Sequence, residues 1–519
     1  MFKQITHMSA PLLSHSSFNQ RRCFLPMPAD SVQSLWSSRS ARLSRAALGG
    51  LMIVGVAACG GGGNSGGFVA AFPMATTAPA PAPAPAALPE TPAPAPTGPA
   101  PTYKVSGKVR GLLGTGLVLQ NNVGDDLTIA ADGSFSFTTE LASGAGYAVT
   151  VKSQSRILTR TCTVSNGTGT VADAAVVNVD VACAAPAARF AYATNAGSNN
   201  LFPYTVDTST GVLGSMAAPM SGTGSTPMAI TVDPAGRFAY VANRGDNTVS
   251  AYSIGAGTGF LAPVATIATA SAPLAIVADP TGRFVYVVNQ GIDKVSGYII
   301  DASTGNLTPM AVPQVAVGFI PSSIALDSLG RFAYVTNRGN NTVSAFSIDE
   351  SSGALSPLAV PTVTTGTSPS AIALDPLGRF AYVTNSDDNT VSAYSIDAGS
   401  GLLTPMATVA TGVTPRSVAV DPTGRFAYVA NTIENNVSAY NIDTSTGALT
   451  PMVVPKVAAR VSPVAIALDP TGRFAYVTNS NSKDVSAYTI DANTGALTPM
   501  SVPTVATGGI GASSLALSR

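Results

Sequence analysis

The stretch "LDPLGRFAYVTN", Leu374–Asn385, returns along the chain as "VDPTGRFAYVAN" at Val420–Asn431 and as "LDPTGRFAYVTN" at Leu468–Asn479. The arginine of this motif recurs at intervals of 46 or 48 residues, at Arg189, Arg237, Arg283, Arg331, Arg379, Arg425 and Arg473. A period of this length is typical of solenoids and propellers. The 519-residue chain is therefore organised around a repeated structural unit.

Each repeat contains four short strand patterns and no helix-length segment. Around the quoted motif the four are "SAIALD", "RFAYVTN", "NTVSAYSID" and "GLLTPM". The "DPLG" between the first two has Asp, Pro and Gly at the first, second and fourth positions, which is the signature of a type I turn. Four antiparallel strands per repeat indicate the blade of a β-propeller.

The ends of the array predict how it closes. It begins at Arg189 with the second strand of a blade, and it ends at "ASSLALSR", Ala512–Arg519, which matches a first strand. The C-terminal strand should therefore complete the first blade and leave no open sheet edge. We predict an all-β, seven-bladed β-propeller over residues 186–519, closed by the C-terminal strand.

The repeated side chains predict packing within this architecture. Phe380 and Tyr382 lie on one face of the second strand, where they should pack against the next blade. Arg379 should pair with the aspartate of its own turn or with an aspartate that ends a third strand, such as Asp349 or Asp397. We expect Asn385 to bond its own turn backbone or to adopt a left-handed conformation.

The N-terminal region has the features of a bacterial export signal. Arg39, Arg42 and Arg45 precede a 13-residue apolar stretch that is too short to span a bilayer comfortably, and "VAAC" ends at Cys59. This cysteine context resembles a lipobox, so we predict a lipoprotein signal peptide over 1–58, with Met27 as an alternative translation start. An ordinary secretory signal with an unrelated cysteine is the alternative. The residue after the cysteine is Gly60 rather than aspartate, which favours the outer membrane as the destination.

A linker and a small domain follow the predicted lipid site. Residues 59–102 are Gly-rich and then rich in Pro and Ala, which predicts a disordered, extended spacer. Residues 103–185 contain short strands with Gly, Asn and Asp turns and resemble Ig-like or carboxypeptidase-regulatory-like β-sandwich modules. Cys162 and Cys183 should form a disulfide in an exported chain. Asp125 and Asp126 suggest either a calcium ligand pair or, more simply, a solvated turn.

Charge and composition exclude several functions for the exported chain. Residues 1–58 carry six of the 27 basic and one of the 27 acidic residues, so the remainder has 21 basic and 26 acidic groups and a net charge of −5. No basic patch for nucleic acid is present. Both histidines, His7 and His15, lie in the signal region, so a conventional zinc site and a Ser–His–Asp triad are excluded. We expect no metal and no cofactor.

The strings "YVTN" at Tyr334, Tyr382 and Tyr476, "YATN" at Tyr192 and "YVAN" at Tyr240 and Tyr428 resemble the YVTN-repeat family. The same layout resembles the lactonase-type seven-bladed propellers, which include 6-phosphogluconolactonase and muconate-lactonising relatives. The resemblance covers residues 189–519. It implies the fold and leaves the activity open, because unrelated functions are built on one fold.

Functional candidates are the residues that depart from the repeat on one face of the propeller. Loops between the second and third strands share a face with the connections between blades. Arg416 stands out, since the equivalent positions hold Met228, Leu274, Ser322, Ser370, Val464 and Ser513. An arginine near the propeller mouth suits a carboxylate or phosphate, and a solvated surface arginine is the alternative. The predicted ligand-binding residues are Arg416, Glu434, Arg244, Arg338 and Arg460.

Two classes of function fit these features. The first is a lipid-anchored scaffold of the cell envelope that binds a protein, a glycan or a small anionic ligand. The second is a lactonase-like hydrolase acting on an anionic sugar or organic-acid lactone, with Glu434 or a loop aspartate as the base and Arg416 as the anion clamp. We favour the binding protein. Loss of activity on Glu434→Gln would favour the hydrolase.

Overall fold

The computed structural model describes residues 100–157, 159–216 and 220–519. The predicted signal peptide, Cys59 and nearly all of the 59–102 linker lie outside the described residues. Every regular element in the described part is a β-strand. Within it, no helix has the length and apolar character needed to cross a membrane.

Residues 102–184 form two four-stranded sheets packed face to face around one core. The first sheet contains, in spatial order, Gly133–Ser136, Val105–Arg110, Val176–Ala184 and Thr161–Ser165. The second contains Asp125–Ile129, Leu117–Asn121, Gly146–Ser153 and Thr168–Thr170, and a short pair joins Thr102–Tyr103 to Leu141–Ala142. Buried Val, Leu, Phe and Tyr side chains from both sheets fill the space between them. This is the predicted β-sandwich.

The two cysteines of the sandwich lie opposite each other on neighbouring antiparallel strands. Cys162 and Cys183 are register partners and form the predicted disulfide. The aspartate pair is held by protein groups: Asp126 forms an ion pair with Lys152, and Asp125 accepts hydrogen bonds from Thr138 and Thr139. In the described part of the chain no cluster of His, Cys, Asp or Glu could hold a metal ion. Both aspartates begin the strand Asp125–Ile129 instead of lying in a turn.

Seven further sheets form the blades of the propeller, and the strands of each blade follow one another from the axis outward. In that order, blade 1 contains Ala512–Ser518, Phe190–Asn195, Asn200–Val206 and a divided outer strand, Leu213–Ser215 and Ser221–Gly222; blade 2 contains Pro227–Val232, Phe238–Asn243, Thr248–Ile254 and Leu261–Ala268; blade 3 contains Pro273–Ala278, Phe284–Asn289, Lys294–Ile300 and Leu307–Ala316; blade 4 contains Pro321–Leu326, Phe332–Asn337, Thr342–Ile348 and Leu355–Thr364. Blade 5 contains Pro369–Leu374, Phe380–Asn385, Thr390–Ile396 and a divided outer strand, Leu403–Pro405 and Val409–Ala410; blade 6 contains Pro415–Val420, Phe426–Asn431, Asn436–Ile442 and Leu449–Ala458; blade 7 contains Pro463–Leu468, Phe474–Asn479, Asp484–Ile490 and Leu497–Ala506.

The C-terminal strand closes the propeller as predicted. Ala512–Ser518 is the innermost strand of blade 1 and pairs antiparallel with Phe190–Asn195, with Phe190 opposite Ser518. The first and last segments of the propeller therefore share one sheet. Ring closure removes the sheet edge that an open array would expose at the axis.

The repeated aromatic residues hold neighbouring blades together. The Tyr382 hydroxyl lies in the core and donates a hydrogen bond to the Gly447 carbonyl of blade 6 at 2.9 Å. The Phe380 ring packs on the same glycine, leaving no room for a side chain there. The equivalent tyrosines of the other six blades make the same bond to a glycine of the next blade. The predicted packing against the next blade is confirmed.

The repeated polar residues are structural. Arg379 pairs with the turn carboxylate of Asp375 at 2.9 Å and stacks over Phe380, and blades 2 and 4 contain the same pair. The second proposed partner, Asp349, instead accepts hydrogen bonds from Ser351 and Ser352. Pairing with the turn aspartate is thus the arrangement that forms.

Asn385, the last residue of its strand, makes neither of the two predicted arrangements. The Asn385 amide donates to Thr390 Oγ1 and Ser392 Oγ of the adjacent strand, at 3.0 and 2.9 Å. The left-handed conformation occurs at Asn389, with a φ of 57°. Asn385 cannot take it, because it is paired within the sheet on both sides.

Candidate functional site

The predicted site residues lie on one face of the propeller. Pro369, the first residue of an innermost strand, pairs with Asn385, the last residue of the second strand. The start of each innermost strand, the loop between the second and third strands and the connection between blades therefore share one face, which we call the upper face. The tight turns that follow the innermost and third strands form the opposite, lower face.

Glu434 occupies a position with a structural role in most blades. Its carboxylate accepts a hydrogen bond from the Val413 amide at 3.0 Å and pairs with Lys456 at 2.6 Å. At the same loop position Asp246, Asn340, Asp388, Ser482 and Ser198 accept the equivalent bond from the backbone of the preceding connection. The hydrogen bond from Lys456 is the largest of the effects that lower the pKa of Glu434. Its ionised carboxylate is a fixed acceptor and a weak base.

Two of the predicted arginines are held by neighbouring side chains. Arg244 donates to the Gln290 amide oxygen of the next blade at 3.2 Å. Arg460 pairs with the buried carboxylate of Asp484 at 3.2 Å, and Asp484 in turn accepts a hydrogen bond from Asn479. Arg460 therefore compensates a buried charge within blade 7.

Arg416 and Arg338 come together at the mouth of the propeller. Arg338 lies in the loop after the second strand of blade 4, and Arg416 is the second residue of the innermost strand of blade 6. Asp387, in the corresponding loop of blade 5, lies between them and interacts electrostatically with both. Among the described residues neither guanidinium has a hydrogen-bond or ion-pair partner. Three consecutive blades thus contribute to one charged cluster, which we call the mouth cluster: Arg338, Asp387 and Arg416.

In blade 6, another residue makes the contact between blades that the residue equivalent to Arg416 makes elsewhere. At the equivalent position Ser322, Ser370 and Ser513 donate to the first carbonyl of the next innermost strand, each at 2.7 Å. In blade 6 that bond, to Pro463, comes from Thr432 Oγ1 at 2.7 Å. Arg416 is therefore not needed to join blades 6 and 7, and its guanidinium is available to a ligand.

The electrostatics of the mouth cluster favour binding an anion. The Arg416 side chain is exposed, but the surrounding mouth limits its hydration. This partial desolvation is the main effect that lowers the pKa of Arg416, and repulsion from Arg338 lowers it further. The guanidinium remains charged at neutral pH. A hydrogen bond from Ser368 is the largest effect that lowers the pKa of Asp387, and the two arginines add to it. Two cations and one anion leave one positive charge for a ligand carboxylate or phosphate.

A cavity of about 310 Å³ lies between the sandwich and the lower face of the propeller. Its propeller wall consists largely of turn prolines: Pro234, Pro376, Pro422 and Pro470. Leu113, Arg160 and Pro186 contribute from the sandwich side. This cavity lies at the opposite end of the propeller from the mouth cluster.

Two of the three residues of the mouth cluster, Arg338 and Arg416, are among the five candidates taken from the sequence, and two features of the upper face were not predicted. The role of Asp387 as the bridge between two arginines was not evident, since it belongs to a different blade from either. The other feature is a row of exposed apolar loop residues at Val413, Ile433, Val461 and Ile510. Comparing the connections between blades position by position would have revealed this row.

The fold and the closed ring define a seven-bladed β-propeller. Residues 138–278 and 268–462 match the model of the family described as lactonase, 7-bladed beta-propeller, and the chain belongs to this family. No curated protein sequence matches it.

Several solved structures have the same fold as the propeller of this chain. A proposed 6-phosphogluconolactonase from Bacteroides fragilis is 18% identical, with a TM-score of 0.57, covering 64% of this chain and 98% of that one. A proposed 6-phosphogluconolactonase from Bacteroides uniformis is 16% identical, with a TM-score of 0.56, covering 63% and 99%. The periplasmic gluconolactonase of Pseudomonas aeruginosa is 21% identical, with a TM-score of 0.55, covering 63% and 99%. At these identities the likeness concerns the fold alone.

Proposed function

We propose that this protein is a cell-envelope β-propeller that binds an anionic ligand at its upper mouth. The observation that supports this most directly is the mouth cluster, in which Arg338 and Arg416 lack protein partners within the described residues. Arginine matches carboxylate and phosphate groups with two parallel hydrogen bonds. A cation without a partner at the rim of a concave mouth is available for such a group.

Lactone hydrolysis is the second candidate, and family membership favours it. The product of lactone opening is a carboxylate, which the mouth cluster suits as well. Hydrolysis also needs a base that activates water. Glu434 is engaged by Lys456 and a backbone amide, and the pKa of Asp387 is lowered. Neither carboxylate has the raised pKa of an effective base near neutral pH, so binding is the function that we favour.

Calorimetric titration of the purified protein with gluconate and 6-phosphogluconate tests the binding function. Arg416→Ala should weaken the affinity at least tenfold, the equivalent of about 1.4 kcal/mol. Lys108→Ala, which removes an exposed cation of the sandwich, is the matched control and should bind as the wild type does. Equal affinity of all three proteins, or no binding of either anion, would overturn the proposal.

The same proteins assayed with the corresponding lactones separate the two candidates. The spontaneous rate is subtracted, and Glu434→Gln is included. A binding protein should show no rate above background in any form. A rate that falls in Arg416→Ala and in Glu434→Gln would establish a hydrolase instead.

We also propose that the chain is exported and anchored by a lipid on Cys59, in the outer membrane. The basic segment, the short apolar stretch and the small residues before Cys59 support this. Labelling of producing bacteria with an alkyne-tagged fatty acid should mark the wild-type protein and not Cys59→Ala. Labelling of both forms, or of neither, would contradict the lipid anchor, and membrane fractionation of labelled cells tests the outer-membrane assignment.

A further inference from the structure

The upper face has a row of exposed apolar side chains beside the mouth cluster. Val413 and Ile433 belong to blade 6, Val461 lies in the connection into blade 7, and Ile510 lies in the connection into blade 1. Their exposed fractions are 42%, 66%, 51% and 56%. Blades 6, 7 and 1 are consecutive around the closed ring. We call these four residues the apolar arc.

The equivalent positions of the other blades show whether the fold requires apolar residues at the arc. The connection position held by Val413, Val461 and Ile510 is Ser225 in blade 2, Ser271 in blade 3 and Thr367 in blade 5, whereas blade 4 has a further exposed apolar residue there, Phe319. The same carbonyl at this position accepts a bond from the adjacent loop whichever residue is present: Gly245 donates to Ser225, and Ile433 donates to Val413. The loop conformation therefore does not require an apolar side chain. Clustered apolar side chains at exposed positions where a polar one folds equally well indicate a binding surface.

The arc and the mouth cluster form one continuous surface on blade 6. Val413 and Arg416 are three residues apart, on either side of the point where the innermost strand begins. Ile433 is joined to Val413 by a backbone hydrogen bond of 3.3 Å. A ligand held by Arg416 therefore has apolar surface directly beside its anionic group, extending toward blades 7 and 1.

We propose that the upper face binds an extended peptide segment of a partner protein, with one carboxylate at the mouth cluster and aliphatic or aromatic side chains on the apolar arc. This rests on the proposed anion-binding function and adds the class of ligand. Charge complementarity selects the peptide carboxylate, because the cluster has one uncompensated positive charge. Asp246, Asp388 and Glu434 are interspersed among the cations of the same face, which therefore lacks the uniformly basic surface that an anionic bilayer attracts. The four side chains of the arc are aliphatic, and the exposed ring of Phe319 belongs to blade 4. Aliphatic side chains suit apolar side chains of a peptide better than sugar rings.

Fluorescence polarisation with a library of labelled peptides tests the inference. Members carry one aspartate, or a free C-terminal carboxylate, flanked by Leu, Val or Phe; matched members replace the flanks with Ser or the carboxylate with an amide. The best apolar peptides should bind at least tenfold more tightly than their Ser-flanked counterparts. Ile433→Ser with Val461→Ser should abolish that difference. Val360→Ser, on the exposed outermost strand of blade 4, should leave it unchanged.

The outcomes distinguish this inference from the function on which it rests. If gluconate binding persists and depends on Arg416 while apolar flanks give no advantage in any peptide, the anion-binding function stands and the inference is overturned. If neither the peptides nor the small anions bind, both fail. Co-sedimentation of the wild-type protein with phosphatidylglycerol vesicles, lost in Ile433→Ser with Val461→Ser, would identify a membrane surface and overturn the peptide assignment.

Discussion

At the scale of single residues, the repeat separates structural positions from available ones. Tyr382, Phe380 and Asp375 have a protein partner on the neighbouring blade or within their own turn. Arg416 stands at a position where three sister blades use serine, and Thr432 makes the bond that this serine would make. A residue that departs from the repeat is available for binding only where another residue replaces its structural contact.

The buried tyrosine hydroxyl provides a test of the structural positions. Tyr382→Phe removes the donor to the Gly447 carbonyl and leaves that carbonyl unsatisfied in the core, which should cost about 1–3 kcal/mol. Urea unfolding monitored by circular dichroism measures the loss. Tyr394→Phe is the control: its hydroxyl also donates to a backbone carbonyl, that of Thr364 at 2.7 Å, but Thr364 is exposed and water can replace the donor, and Phe346 occupies the equivalent position in blade 4. Its cost should be less than about 1 kcal/mol, and equal costs for the two variants would contradict this account.

At the scale of elements, each blade depends on a turn supplied by the next one. The turn between the third and outermost strands of blade 6 has Gly447 at a φ of +74°, directly under the Phe380 ring of blade 5. A residue with a side chain would be strained there and would also displace the ring. The glycine of this turn is thus a contact between blades as well as a backbone requirement.

Gly447→Ala should therefore be severely destabilising. An added Cβ would lie 2.3 Å from Phe380 Cδ1. Left-handed strain and overpacking together should cost about 2–4 kcal/mol. Gly257→Ala is the matched control in the same turn of blade 2, where no atom lies within 4 Å of the added Cβ, and it should change stability by no more than about 0.5 kcal/mol. Similar unfolding midpoints for both variants would show that the Phe–Gly contact does not hold the blades.

At the scale of the whole molecule, closure of the ring makes the distant ends of the propeller one structural unit. Phe190–Asn195 has the C-terminal strand on its axial side, and Leu515 and Ala191 belong to the same core cluster between blades 7 and 1. Without that strand, blade 1 would expose an unpaired inner edge and lose its packing against blade 7.

Deletion of residues 512–519 should abolish cooperative unfolding. We expect a broad thermal transition and aggregation during gel filtration, because exposed strand edges pair with other chains. Deletion of Arg519 alone leaves the whole of Ala512–Ser518 in place and serves as the control. A truncated protein that remained monomeric with a sharp transition would show that the ring does not need this strand.

The sequence by itself determined the blade, the number of blades and the closing strand, because each depends on local patterns: strand alternation, a turn at every "DPLG" or "DPTG", and a period that repeats seven times. It also indicated which face carries the variable charges. Tertiary structure alone decided which of those charges meet. Arg338, Asp387 and Arg416 belong to three blades and come together only because the ring brings their loops to one mouth, whereas Glu434 and Arg460 are engaged by Lys456 and Asp484 within their own blades. Contacts between distant side chains depend on the curvature of the ring and on the partner present at each loop, and local periodicity encodes neither.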